Sequence, residues 1–254
     1  MTGKLGRVII GTSGWHYKHW REIFYPAKMP PAQYLGFYAQ HFRSVEINNS
    51  FYRLPTPEAF TQWREHSPPG FVFAVKASRF ITHMKKLLDP ELAFHRFFER
   101  ADLLQEKLGP ILFQLPPRWA VNLGRLDAFF SALPPQHQYV LELREQSWCI
   151  PEVFHLCSHY RVALCIHDYG GSEWPGEITA DFTYLRMHGP TGAYYGAYSD
   201  HALQGVASRI RKWQRELKQV YVYFNNDPEG HAITDAQRLS RMLDLPVRSA
   251  RTAA

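Results

Sequence analysis

The sequence predicts an α/β protein, a single (β/α)8 TIM-type barrel with its helices outside, and three observations lead to this fold class. Apolar, strand-like runs recur along the 254 residues, and most are separated by segments of helical periodicity. The chain has the usual length of one such barrel. No linker-like stretch divides it, so we predict one domain over residues 1–254. A doubly wound sheet is the main alternative, but no G-x-G-x-x-G turn follows the first strand.

The predicted strands are short apolar runs that end in polar or turn residues. They cover residues 7–11, 45–52, 71–76, 111–115, 139–144, 162–167, 183–188 and 220–225. Apolar residues at helical spacing predict helices at 32–42, 58–66, 89–108, 123–133, 151–159, 201–217 and 235–243. Asp89-Pro90 is a typical helix start, and Gly109-Pro110 a typical stop.

Side chains alternate between two faces along each predicted strand, and one of these faces is almost purely apolar. We expect the apolar face to contact the helices. The other face becomes polar towards the C-terminal end of each strand, which in a parallel barrel is the mouth where active sites lie. Its members there are Ser13, Glu46, Asn48, Lys76, Ser78, Gln114, Glu142, Arg144, His167, Arg186, His188, Tyr223 and Asn225.

Charged side chains inside a barrel are costly to bury unless they are paired. A satisfied ionic network that fills one end of the barrel for structural reasons is one explanation of this pattern. So many titratable groups at one end favour the other explanation, which is an active site.

We predict that this site binds a small anionic (phosphorylated or carboxylated) or polyhydroxylated molecule. Lys76, Arg144 and Arg186 would hold the anion, because arginine forms a fork and lysine a point charge. Glu46 or Glu142 would act as general acid or base, with His188 or His167 as second proton carrier. The remaining predicted binding residues are the amides Asn48, Gln114 and Asn225 and the aromatic wall of Trp15, Tyr17, Tyr52 and Trp148. For each aromatic residue, simple packing at the rim is the alternative.

The predicted reaction is of hydrolase, isomerase or lyase type, since no redox-cofactor motif is present. A divalent metal held by carboxylates and imidazoles is an alternative, although three fixed cations would repel it. Its ligands would come from Glu46, Glu142, His167, Asp168 and His188. We predict no other cofactor, and the sequence fixes neither the substrate nor the oligomeric state.

Two further function classes stay open. The net charge of +6 and the pI near 9.2 allow nucleic-acid binding, with Tyr194, Tyr195 and Tyr198 as stacking residues. We favour instead a lid that covers the pocket. A non-catalytic ligand-binding barrel is the third class, because a fold does not define a function.

The composition, 45% hydrophobic and 20% charged, is that of a folded protein without a membrane span. Residues 1–7 are largely polar, and Val8-Ile9-Ile10 is too short for the apolar region of a signal peptide. The three cysteines show no C-x-x-C spacing, which argues against a disulfide framework or a zinc ribbon. We therefore predict a cytoplasmic protein.

Several motifs occur in an order that covers nearly the whole chain. They are Gly11-Thr12-Ser13-Gly14-Trp15, Val45-Glu46-Ile47-Asn48, Val75-Lys76-Ala77, Gln114-Leu115-Pro116-Pro117, Glu142-Leu143-Arg144, Arg186-Met187-His188-Gly189 and Tyr223-Phe224-Asn225-Asn226. Their combination resembles the YecE-like family, the domain of unknown function number seventy-two. The resemblance implies a TIM-type barrel but supplies no reaction.

The chain also departs from the family pattern. Two arginines that relatives often carry are replaced by Pro190 and Ala197, and Asp235 replaces an asparagine. If those arginines hold an anion in relatives, the resemblance implies that this protein relies on Lys76, Arg144 and Arg186 instead.

Overall fold

Eight parallel strands form a nearly closed barrel, which confirms the predicted (β/α)8 architecture. The structure is a computed structural model that describes residues 5–171, 176–191 and 194–245, so parts of the predicted 1–254 domain lie outside the described residues. The strands are β1 (Arg7–Thr12), β2 (Ser44–Ile47), β3 (Val72–Lys76), β4 (Leu108–Gln114), β5 (Tyr139–Glu142), β6 (Val162–His167), β7 (Phe182–Met187) and β8 (Gln219–Phe224). Each pairs with its neighbour in sequence from β2 to β8, and β8 pairs with β1.

The barrel is completed between β1 and β2 by a side chain. The Tyr38 hydroxyl accepts the Thr12 N–H at 3.0 Å and lies 3.0 Å from the Ser44 carbonyl, to which it donates. The two strands approach so closely that a Cβ atom on Gly11 would lie 2.2 Å from the Ser44 carbonyl oxygen. Glycine is therefore required at this position for steric reasons.

Seven α-helices in the described part of the chain surround the strands. They are α1 (Tyr34–His41), α2 (Pro57–Glu65), α3 (Pro90–Ala101), α4 (Leu123–Ser131), α5 (Pro151–His159), α6 (Asp200–Glu216) and α7 (His231–Met242). Proline opens α2, α3 and α5, where its missing N–H costs nothing. Thr56, Asn122 and Ser199 cap α2, α4 and α6 with side-chain oxygens.

The largest boundary error of the sequence prediction concerns the helix expected over 89–108. Helix α3 ends at Ala101, and 3-10 turns over Asp102–Lys107 lead directly into β4. The predicted stop, Gly109-Pro110, lies inside β4 at the point where the β3–β4 register shifts. Proline is tolerated there because a bulge needs no N–H from it.

Two other strands are shorter than predicted, and both changes affect the mouth. Strand β2 ends at Ile47 and is followed by a 3-10 turn over Asn49–Phe51. Strand β5 ends at Glu142, so Arg144 lies beyond the strand. The side chains at these ends can therefore turn towards the barrel axis.

The predicted alternation of faces is confirmed. The apolar strand residues from Val8 to Phe224 pack with the helices in one core. A second cluster is made of the inward-facing residues Ile9, Ala74, Leu112, Val140, Ala163, Cys165, Phe182, Tyr184, Tyr221 and Tyr223. The lower part of the barrel is thus filled with apolar and aromatic side chains, and the charges lie above it. No helix among the described residues is long and apolar enough to cross a membrane.

We expect Gly11→Ala to destabilise the protein by about 1–3 kcal/mol, because the new methyl group would force β1 and β2 apart. The matched control is Gly205→Ala in the exposed middle of α6, where a Cβ atom meets nothing within 4 Å. It should raise the free energy of unfolding by up to about 1 kcal/mol. Urea unfolding measures the free energy of unfolding of both variants. Equal changes in the two would contradict a steric requirement for glycine between β1 and β2.

Candidate active site

Arg186 of β7 lies at the centre of the mouth and binds two glutamates from other strands. Its Nε and Nη2 atoms donate to the Glu46 carboxylate at 3.0 and 2.8 Å, and its Nη1 donates to Glu142 at 2.8 Å. All three side chains are essentially inaccessible to solvent. Arg186 therefore joins β2, β5 and β7 across the barrel interior. Its contact with Glu46 is bidentate, which is the strongest arrangement of an arginine–carboxylate pair.

Both carboxylates are held in their charged form. Burial alone would raise the pKa of Glu46, but Arg186 and a 2.6 Å hydrogen bond from the Tyr184 hydroxyl hold this pKa below its usual range. Burial likewise opposes ionisation of Glu142, yet Arg144 and Arg186 lower its pKa well below the usual value. The arginine charges outweigh the effect of burial on both pKa values because the guanidinium groups are in direct contact with the carboxylates.

His188 is neutral, with its proton on Nδ1. Its Nε2 atom lies 3.0 Å from Nη2 of Arg144 and 3.3 Å from Nη1 of Arg186. A guanidinium can only donate, so Nε2 is the acceptor in both contacts. Burial, outweighing a nearby Asp168 carboxylate and aided by Arg186, lowers the pKa of His188.

Asp168 fixes the position of His188 from the loop after β6. Its Oδ1 accepts the His188 main-chain N–H at 2.6 Å and lies 3.6 Å from the ring Nδ1. Its Oδ2 accepts the Tyr198 hydroxyl, which itself accepts the Gly189 N–H at 2.6 Å. The loop after β7 is thereby attached to the end of β6.

His167 is also neutral, and both of its ring nitrogens form hydrogen bonds. Its Nε2–H donates to the Leu143 carbonyl at 2.8 Å, and its Nδ1 accepts the Tyr169 N–H at 3.3 Å. Burial lowers its pKa to about 4. The His167 ring packs edge to face on the His188 ring, with ring centres 5.7 Å apart.

Lys76 differs from the arginines because its ammonium group makes no ion pair or hydrogen bond with any described residue. The Nζ atom lies 4.1 Å above the ring of Phe51, and the side chain is 6% exposed. Burial, together with the charge of Arg186, lowers the pKa of Lys76 to about 7. His83, in the π-helical turn Phe80–Met84, also packs on Phe51, edge to face, with ring centres 4.9 Å apart.

Arg144 also keeps a free donor. Its Nε donates to Glu142 at 2.5 Å and its Nη2 contacts His188, while Nη1 has no partner among the described residues. The guanidinium carbon of Arg144 lies 3.8 Å from the ring centre of Tyr169, and this cation–π contact fixes the orientation of the guanidinium. With Lys76 charged, three cations lie at the mouth together with the carboxylates of Glu46 and Glu142, and Asp168 adds a third carboxylate beside His188.

A cavity of about 750 Å³ opens beside the charged cluster, at the same end of the barrel. Its volume suits a small organic molecule. The predicted site residues among those that line it are Trp15, Tyr17, Asn48 and Tyr52. The glutamates and arginines do not line it, so the cavity and the charged cluster are neighbours rather than one chamber.

The structure places the predicted residues in three groups. Glu46, Lys76, Glu142, Arg144, Arg186 and His188 form one cluster at the mouth, with His167 beside it. The half-buried Gln114 and the buried Asn225 lie at the ends of β4 and β8. Trp148 is fully buried, donates its indole N–H to the Trp119 carbonyl at 2.5 Å and packs in the core instead of lining the cavity. The sequence prediction did not include Tyr184 or Tyr169, and it named Asp168 only as a possible metal ligand.

The tyrosines of the loop after β7 differ in availability. Tyr194 is partly exposed, with its ring 5.3 Å from that of His188, and Tyr195 is exposed. Tyr198 is buried and bonded to Asp168, so its ring is not available for stacking on a base. No group of three or more His, Cys, Asp and Glu side chains in the described ranges is arranged to hold a metal ion.

The fold and the mouth together define the class of a TIM-type barrel with a cluster of buried charged side chains at its C-terminal mouth. The model of the family described as "Protein of unknown function DUF72" matches residues 9–254, and the chain belongs to this family. The resemblance detected in the motifs is thus confirmed.

Relatives and solved structures agree with this assignment. The UPF0759 protein YunF of Bacillus subtilis (strain 168) is 26% identical over 275 residues, covering 94% of this chain and 95% of the relative. The UPF0759 protein YecE of Escherichia coli (strain K12) is 30% identical over 138 residues, which is 54% of this chain and 48% of YecE.

Two crystal structures of DUF72 family proteins have the same fold. The one from Thermotoga maritima MSB8 has a TM-score of 0.85 and 27% identity, covering 94% of this chain and 99% of that chain. The one from Enterococcus faecalis V583 has a TM-score of 0.80 and 20% identity, covering 97% and 100%.

We expect Arg186→Met to lower the free energy of unfolding by about 3–5 kcal/mol, because it leaves two buried carboxylates without their shared counterion. The matched control is Lys218→Met, which removes the cation of an ion pair with Asp181 at the surface. Its loss should be much smaller, since solvent screens that pair. Urea unfolding compares the two variants, and equal losses would show that Arg186 is not the electrostatic centre.

We expect the stability difference between the native protein and Glu46→Gln to depend on pH. The folded pKa of Glu46 is lowered, so its stabilisation is complete above the unfolded value of about 4.3 and is lost as the pH falls through the folded value. The difference should therefore be largest near neutral pH and shrink on acidification. Urea unfolding at pH values from neutral to strongly acidic measures this, and a constant difference would contradict an ionised Glu46.

Proposed function

We propose that the protein is an enzyme that binds a small phosphorylated, carboxylated or polyhydroxylated molecule at the barrel mouth. Catalysis would be of the general acid–base kind, in a hydrolase, isomerase or lyase reaction. The observation that carries this proposal is the unequal use of the three cations. Arg186 is saturated by the two glutamates, whereas Lys76 and Nη1 of Arg144 retain donors with no partner among the described residues.

An anionic group would be bound by these free donors. Arg144 offers a planar fork whose orientation is set by Glu142 and by stacking on Tyr169. Lys76 offers a point charge from the end of β3, two strands away from β5. Since a buried cation without a partner is costly, a ligand that supplies the partner recovers part of this cost as binding energy.

The neighbouring cavity would hold the uncharged part of the substrate. Its aromatic rings, Trp15, Tyr17 and Tyr52, offer flat apolar surfaces for the faces of a sugar-like group. Asn48 lines the same cavity with an acceptor oxygen that has no partner among the described residues. This oxygen would accept a substrate hydroxyl.

Proton transfer would begin when the substrate competes for Arg144. In the free protein Glu46, Glu142, His167 and His188 all have partners, so none of them is a free base. A substrate anion that draws Arg144 away weakens its hold on Glu142 and raises the pKa of that carboxyl. Glu142 would then become the proton carrier nearest to the bound anion.

We expect some members of a panel of phosphorylated and carboxylated metabolites to raise the melting temperature of the protein. Binding at a concentration of about 100 times Kd stabilises by about 2.7 kcal/mol. Arg144→Met should weaken binding by about ten- to a hundredfold, because it removes charge-assisted hydrogen bonds. Since the variant also changes Glu142, the ligand-induced shift is compared rather than the melting temperature itself.

The control for this experiment is Arg215→Met on the exposed face of α6, which changes the net charge equally and should keep the shift. An absence of any anion-induced shift would contradict the proposal. A salt-sensitive shift with single-stranded RNA or DNA that Arg215→Met reduces would instead favour the nucleic-acid alternative.

A further inference from the structure

We propose that Lys76 is a nucleophile that forms an imine with an aldehyde or ketone substrate carrying the anionic group bound by Arg144. This inference rests on the proposed function and deepens it, because it names the reactive group of the substrate. It concerns a role that differs from simple charge recognition. The surroundings of the Lys76 amine support it in three respects.

The first respect is the absence of a neutralising partner. The two carboxylates that could pair with Lys76, Glu46 and Glu142, are already bound to arginines at 2.5–3.0 Å. No ion pair joins either of them to Lys76. The lone pair of the deprotonated amine is therefore available to an electrophile.

The second respect is the electrostatic environment. Arg186 on β7, which lies opposite β3 in the barrel, and Arg144 beyond the end of β5 disfavour a third positive charge, whereas Glu46 and Glu142 act in the opposite sense. The ring of Phe51 lies against Nζ, and its π face favours the charged form. Burial and the arginines outweigh these opposing effects and lower the pKa of Lys76 to about 7. A desolvated lysine beside other cations is the usual form of an amine nucleophile.

The third respect is the rigid placement of the amine. Lys76 is the last residue of β3, and its carbonyl accepts the Ser50 hydroxyl at 2.6 Å. Phe51 in turn contacts both Lys76 and His83. The side chain therefore projects from a fixed strand end into the mouth where the anion would lie, and such placement favours attack on a bound carbonyl.

The chemistry balances without a cofactor or an oxidant. The neutral amine attacks the carbonyl carbon, a C–N bond forms, and one amine proton moves to the carbonyl oxygen. The resulting hydroxyl leaves as water with the second amine proton, so that a C=N bond replaces C=O. The imine then withdraws electrons from the adjacent carbon, which eases loss of a proton or cleavage of a C–C bond there.

The test uses glyoxylate, the smallest aldehyde with a carboxylate, together with sodium cyanoborohydride as the reductant. Hydride from the reductant adds to the imine carbon and converts the imine to a stable secondary amine, which peptide mass spectrometry locates. We expect Lys76 to be labelled at neutral pH on the order of tenfold faster than exposed lysines, because a far larger fraction of it is neutral.

Two internal controls require no mutation. Lys107 is buried as well, but its amine donates to the Arg64 carbonyl and to two oxygens of Ser67, so it should stay unlabelled. Lys18 lines the neighbouring cavity and is exposed, so it reports the effect of local reagent concentration. Labelling of Lys76 no faster than Lys18 would overturn the proposal.

Lys76→Arg separates nucleophilicity from charge, because arginine keeps the cation but forms no imine. We expect it to lose the adduct and keep the anion-induced melting shift, while Arg144→Met should slow labelling. If anions bind in an Arg144-dependent way but Lys76 is not selectively labelled, the imine is wrong and the proposed function stands. If Lys76 is selectively labelled, but equally in Arg144→Met and without any anion-induced shift, the anion site is wrong and the nucleophilic amine stands.

Discussion

The contact of one guanidinium with two carboxylates is the constraint on which the mouth of this barrel depends. Arg186 connects strands β2, β5 and β7 across the interior through Glu46 and Glu142. Replacement of such a buried network by apolar side chains is often neutral or stabilising. The lower layer of the same barrel shows that apolar and aromatic residues can fill it. Stability alone therefore does not account for the charges at the mouth, whereas the proposed ligand site would.

The existence and place of this charged cluster could be predicted from the sequence, because strand periodicity sorts side chains by face and polar residues collect at the strand ends. The role of each cation could not. Lys76, Arg144 and Arg186 occupy equivalent places in the sequence pattern, yet one is unpaired, one half-paired and one saturated. Which cation meets which carboxylate depends on distances across the barrel, and a strand pattern contains no information on them.

The features that sequence reasoning missed come from long-range contacts of loops and from the core. Tyr198 was expected to cover the pocket, but it is bound to Asp168 and fixes the loop after β7 to the end of β6. Trp148 was expected at the pocket wall, but the Trp119 carbonyl satisfies its indole N–H inside the core. The helix predicted over 89–108 ends at Ala101, and the predicted stop Gly109-Pro110 lies at a bulge inside β4. Each outcome depends on a partner remote in sequence or on strand register.

The saturation of Arg186 has a consequence for the reactivity of Lys76. If the glutamates were free, they would pair with the lysine and raise its pKa. The amine would then stay protonated and would have no lone pair for attack on a carbonyl. Arg186 and Arg144 form ion pairs with both glutamates, so neither carboxylate pairs with Lys76. The positive charges of the two arginines also lower the pKa of Lys76. An arginine at the position of Lys76 could bind an anion equally well but could not lose its proton. A lysine among arginines is thus the arrangement expected where one cation must deprotonate and the others must not.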